Sequence, residues 1–96
     1  MSKIFLRLTA NVVEVDGQGS LVTLSKIKKT VRFPFVPVPG METVIDGEPY
    51  TLHNIEFDSE NWDKSEDKFL VTSGTYTINV EDLQARLDNG WQEEDG

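Results

Sequence analysis

The stretch VRFPFVPVPGMETVIDGEPYTLHNIEFD, residues 31–58, changes character three times. It begins as an alternating strand, passes through Pro34, Pro37 and Pro39, and resumes as a hairpin around Asp46 and Gly47. Asp-Gly between apolar runs suits a tight two-residue turn, so residues 42–52 are expected to fold back on themselves. Proline lacks a backbone donor and restricts the residue before it, so the strand ending at Phe33 must stop at Pro34 or lie on an edge. The run FPFVPVPG has three possible roles: a ligand for a partner's groove, a linker, or a corner. Its apolar neighbours Phe33, Phe35, Val36 and Val38 favour the corner, with Phe33 and Phe35 turned towards the core. A linker is excluded because neither flank has the residues for a separate core.

On the N-terminal side, Ile4, Leu6, Leu8, Ala10 and Val12 alternate with polar or mixed residues, the period of a strand with one buried face. Residues 16–20 supply turn chemistry, and LVTL follows as the returning strand. In the next strand Ile27, Lys29, Val31 and Phe33 fall on one side, and Lys28, Thr30 and Arg32 form a wet, basic side.

On the C-terminal side, Tyr50 and Leu52 share a parity that Ile55 and Phe57 do not, so a bulge or bend is expected at His53 and Asn54 to restore one buried side. DSENWDKSED reads as a polar, acidic loop. KFLVT and TYTINV, separated by Ser73 and Gly74, read as the last strand pair. Val80, Leu83, Ala85 and Leu87 then take the period of a short amphipathic helix, with Asn79 as its cap. Asn89 and Gly90 should end it, with Trp91 folding back over the last turn.

These elements predict a mainly β fold, α+β at the margin: a small, strongly bent antiparallel sheet or barrel of six to seven short strands with one short C-terminal helix. At 96 residues the chain is expected to form a single domain over residues 1–91, followed by a frayed acidic tail at 92–96.

Composition narrows the function. The chain has no cysteine, which removes disulfides and thiolate chemistry together, and nothing approaches the ~18 apolar residues of a membrane span. The N-terminus lacks the pattern of a secretory leader, so a soluble, cytoplasmic protein with no membrane association is expected. The net charge is −8, divided unevenly: +4 over residues 1–40 and −12 over residues 41–96.

His53 is the only histidine, and no nucleophile elbow, zinc-binding helix or phosphate loop is present. One histidine without partners does not make a catalytic site, so no enzyme, catalytic residue or cofactor is expected. The acids of residues 58–67 depart from a calcium loop, because Trp62 stands fifth and Asp63 takes the sixth place, where glycine makes the sharp turn. No metal site is expected. Lys26, Lys28, Lys29 and Arg32 could touch phosphates, but the acidic total and the opposite parity of the aromatics argue against direct nucleic-acid binding.

Segment 36–58 resembles small phage and prophage proteins in its proline-glycine entry, its IDG, the aromatic that follows and the IEFD strand. The resemblance implies a small Src-homology-like barrel working by contact, as a virion accessory part or an inhibitor of a host defence enzyme, in the host cytoplasm.

The expected function is therefore a non-enzymatic interaction protein with a protein partner, of host or virion. The alternative is an acidic nucleic-acid mimic occupying the basic groove of a nuclease or other nucleic-acid enzyme. Expected contact residues are Trp62 with Asp58, Glu60, Asp63, Glu66 and Asp67, together with Trp91, because aromatics among polar residues anchor interfaces. A homo-oligomer is compatible with all of these features.

Overall fold

The computed structural model describes residues 3–63 and 68–94, with only the backbone path given for residues 59 and 61–63. The strands are β1 (Lys3–Val15), β2 (Leu21–Phe33), β3 (Glu42–Ile45), β4 (Glu48–Thr51), β5 (Glu56–Asp63), β6 (Lys68–Asn79) and β7 (Gln92–Glu93). A 3-10 turn (Val80–Asp82) and helix α1 (Leu83–Asp88) stand between β6 and β7. The fold is thus mainly β with one short C-terminal helix, as the periodicities indicate.

Five strands join in the order β5-β6-β1-β2-β7, and β3 pairs with β4 in a separate two-stranded sheet. Among the described residues the larger sheet is open, with β5 and β7 at its edges, and not a closed barrel. Three of its strands are also longer than expected. LVTL and the strand ending at Phe33 are one element of 13 residues, and β6 continues through Ser73 and Gly74, where a turn was expected. Residues 58–63, read as loop from their acidity, continue the strand begun at Glu56 and complete β5: Phe57 lies opposite Val71, and Asp63 opposite Lys68. Charge predicts solvent contact, which an edge strand also provides.

The backbone gathers into two compact units, and β1, β2 and β6 run through both. The first comprises the described residues of Met1–Leu8 and Thr30–Gly74. Its buried side chains include Leu6, Leu8, Phe33, Ile45, Tyr50, Leu52, Leu70 and Val71. Each such side chain stabilises the fold by about 1.5–3 kcal/mol relative to exposure. Asp46 and Gly47 both take positive φ, 55° and 82°, so β3 and β4 are joined by the expected mirror-image turn, with Ile45 paired to Glu48.

The proline corner sits within this unit. Gly40 N–H donates to Leu52 O at 2.7 Å and Leu52 N–H donates to Met41 O at 2.8 Å, so the chain leaving the prolines docks beside the end of β4. Pro37 is buried. Phe33 is buried as expected, but Phe35 is 49% exposed and meets the Phe33 ring edge-on at 5.3 Å between centroids. One ring therefore fills the core and the other covers it from outside.

The second unit comprises the described residues of Thr9–Lys29 and Thr75–Gly96, with Ala10, Val12, Val13, Ile27, Ile78 and Trp91 buried. Asn79 Oδ1 accepts from Glu81 N–H at 3.0 Å and caps the 3-10 turn. At the other end of α1, Trp91 N–H donates to Arg86 O and Gly90 N–H to Leu87 O, at 3.1 and 3.2 Å, with Gly90 at φ 92°. This is a Schellman closure, which carries the chain back and buries Trp91. The chain then forms β7, where Gln92 and Glu93 pair with Lys28 and Ile27, and Glu94 N–H donates to Lys26 O at 2.9 Å. Residues 92–94 are therefore held by the edge of β2, where a frayed tail was expected.

Candidate protein-binding face

Strand β4 ends at Thr51, and the chain bends at Asn54, which takes φ 49°. The bend falls where the parity change required it. It does not return Ile55 and Phe57 to a buried side, however. Phe57 remains 51% exposed, and with Ile55, Ile4, Val36, Phe69 and Val71 it lines an apolar cleft of about 450 Å³. The rings of Phe57 and Phe69 lie 5.9 Å apart, tilted by 47°, within the range of favourable aromatic pairing.

Successive side chains of a strand point to opposite faces. Glu56 and Asp58 therefore flank Phe57 from the other side of β5, and with Glu60 and Thr72 they border a second, polar hollow of about 380 Å³. Asp58 Oδ1 accepts from Glu60 N–H at 3.1 Å, and the pairing of β5 with β6 is irregular between Asp58 and Asp63.

The expected contact residues divide three ways. Asp58 and Glu60 stand on β5 and border the polar hollow on the side away from the cleft. Trp62 and Asp63 lie on the backbone path of β5 but their side chains are outside the description, and Glu66 and Asp67 lie outside the described residues altogether. Trp91 is corrected: at 3% exposure it is a core residue of the helix closure and offers no contact surface. Polar neighbours in sequence do not expose an aromatic when a glycine cap reverses the chain onto the protein. Phe57, the residue this face adds, was marked in sequence only by its parity against Tyr50 and Leu52.

His53 has a packing role. Its N–H donates to Ser73 Oγ at 3.3 Å, and its carbonyl accepts from Gly74 N–H at 2.7 Å and from Ser73 Oγ at 3.2 Å. Lys29, one of the four basic residues considered for phosphate contact, donates through Nζ to the carbonyl of Asn89 after the last turn of α1, a position that favours a cation.

With this geometry in view, the chain was compared with known proteins. No family, characterised protein or solved structure matches it. No helix among the described residues is long and apolar enough to cross a membrane.

Proposed function

We propose that this protein acts by binding another protein, and that the Phe57 face of β5 is the contact surface. The observation that carries this reading is a half-exposed phenylalanine at the mouth of an apolar cleft, on a strand whose other side bears Glu56, Asp58 and Glu60. Leaving such a ring in water forgoes burial energy, and desolvated aromatics supply much of the energy of protein interfaces. The partner's complement is an apolar side chain seated in the cleft, with Lys or Arg nearby to meet the carboxylates. The resemblance of residues 36–58 adds a setting to this reading, that of a virion accessory part or an inhibitor of a host defence enzyme.

The test is capture of partners by immobilised wild-type protein and by Phe57→Ala, each over a range of salt. Specific loss of a captured protein with Phe57→Ala, and little change between low and moderate salt, is the expected result. Equal capture by both proteins removes the cleft from the interface. A steep fall with salt, independent of Phe57, points instead to mimicry of nucleic acid, where many carboxylates meet a basic groove.

A further inference from the structure

Asn89 is followed by Gly90, whereas Asn11, Asn54, Asn61 and Asn79 are followed by Val, Ile, Trp and Val. An asparagine before glycine is the pair best suited to close on itself, because glycine has no Cβ to shield its nitrogen and has the freest backbone. In the closed structure both reacting groups are engaged. Asn89 Nδ2 donates to Ala85 O at 2.9 Å, and Gly90 N–H donates to Leu87 O at 3.2 Å in the Schellman closure. Asn89 has ψ 17°, which holds the Gly90 nitrogen nearly eclipsed with the Asn89 nitrogen, whereas ring closure needs it eclipsed with Cβ. The latch is nevertheless light. Helix α1 has six residues, too few to persist alone, and Asn89 and Gly90 are exposed. Such chain ends open locally at free energies well below that of global unfolding.

We propose that Asn89 is a deamidation site gated by this closure, and that isoaspartate formed there unlatches β7. When the closure opens, hydroxide takes the Gly90 amide proton, the nitrogen bonds to Asn89 Cγ, and Nδ2 leaves as ammonia after protonation by water. Water then adds to the cyclic imide at one of its two carbonyls, and the C–N bond there breaks. Breakage at Cγ gives aspartate, and breakage at the backbone carbonyl gives isoaspartate, with the chain rerouted through the side chain. The net change is ammonia out and water in, with no oxidation. The two products act differently. Aspartate keeps the backbone and loses the bond to Ala85 O, with Lys29 close enough to offset its charge, so the closure re-forms. Isoaspartate adds a methylene to the main chain before Gly90, so the N–H groups of Gly90 and Trp91 lose register with the carbonyls of Leu87 and Arg86. It also turns the Asn89 carbonyl that Lys29 Nζ holds into a carboxylate, which holds that ammonium more strongly and keeps the old path occupied. Trp91 then loses its burial, and residues 92–94 lose their place beside β2.

Incubation of the full chain in mildly alkaline buffer, followed by peptide mapping with mass spectrometry, reads the reaction as the small mass gain that exchange of ammonia for water gives. The gain should appear at position 89 and not at Asn11, Asn54 or Asn79. In urea it should appear about tenfold faster than in native buffer, because the closure is then open throughout. Lys29→Ala, which removes the bond to the Asn89 carbonyl without touching the buried core, should speed it several-fold in native buffer. Hydrogen exchange of the purified products reads the consequence. The Trp91 and Glu94 amides should exchange much faster in the isoaspartate form and at close to the wild-type rate in Asn89→Asp. Equal deamidation rates in urea and native buffer would overturn the gate. Wild-type protection of Trp91 and Glu94 in the isoaspartate form, or equal loss of protection in Asn89→Asp, would overturn the unlatching by the rerouted chain.

Discussion

The ring of His53 occupies the space in which a side chain on Gly74 would stand. A Cβ built on Gly74 would lie 2.5 Å from His53 Nδ1 and 3.2 Å from its carbonyl oxygen. Gly74 N–H meanwhile donates to that carbonyl, and Ser73 Oγ bonds to His53 backbone on both sides. The bend after β4 is thereby fastened to the middle of β6, and the start of β5 follows directly from it.

Gly74→Ala should therefore destabilise the protein by about 1–3 kcal/mol through overpacking, measured by urea denaturation. Combining it with His53→Ala should recover much of that loss, because the two changes share one space and are not additive. Additive losses would mean that the ring and the glycine do not compete.

Gly90 tests the helix closure separately. Its nearest neighbour to an added Cβ is Lys29 Nζ at 3.9 Å, so there is room, and the obstacle is the backbone at φ 92°. Gly90→Ala should cost about 1–2 kcal/mol from conformation alone. Trp91→Ala should cost about 3–5 kcal/mol, as expected of a core aromatic, and lower the melting temperature accordingly. An unchanged melting temperature would return Trp91 to the surface.

The proline corner should respond unequally. Pro37 is buried and Pro34 exposed, so Pro37→Ala loses packing as well as chain stiffness. A loss of about 1–2 kcal/mol is expected for Pro37→Ala and well under 1 kcal/mol for Pro34→Ala, read from denaturation midpoints. Equal effects would show that stiffness alone matters.

Phe57→Ala should lower stability by only about 0.5–1.5 kcal/mol, because half of the residue is already in water and the loss is mainly that of its pairing with Phe69. A loss above about 2 kcal/mol, in the range of core truncation, would make the ring a structural member and not a contact residue.

Much of this fold was legible along the chain because it rests on local rules. The alternation of Leu6, Leu8, Ala10 and Val12 fell on the buried face of β1, Asp46 and Gly47 made the turn, and Asn79 and Gly90 bounded the helical segment. Misplaced features depended on neighbours distant in sequence. Ser73 and Gly74 have turn composition, yet the glycine serves a close approach by His53, which lies 20 or more residues earlier. Residues 58–63 have loop composition, yet β6 supplies backbone partners at Asp58 and Asp63.

The candidate surfaces divide in the same way. Local periodicity and turn chemistry determined the strands, the corner and the helix ends, because a residue's parity and backbone freedom belong to the chain itself. Which apolar side chains are left over was decided in three dimensions. Phe57 is exposed and Trp91 buried because exposure depends on what the rest of the chain covers, and parity can name a face without saying whether anything packs against it.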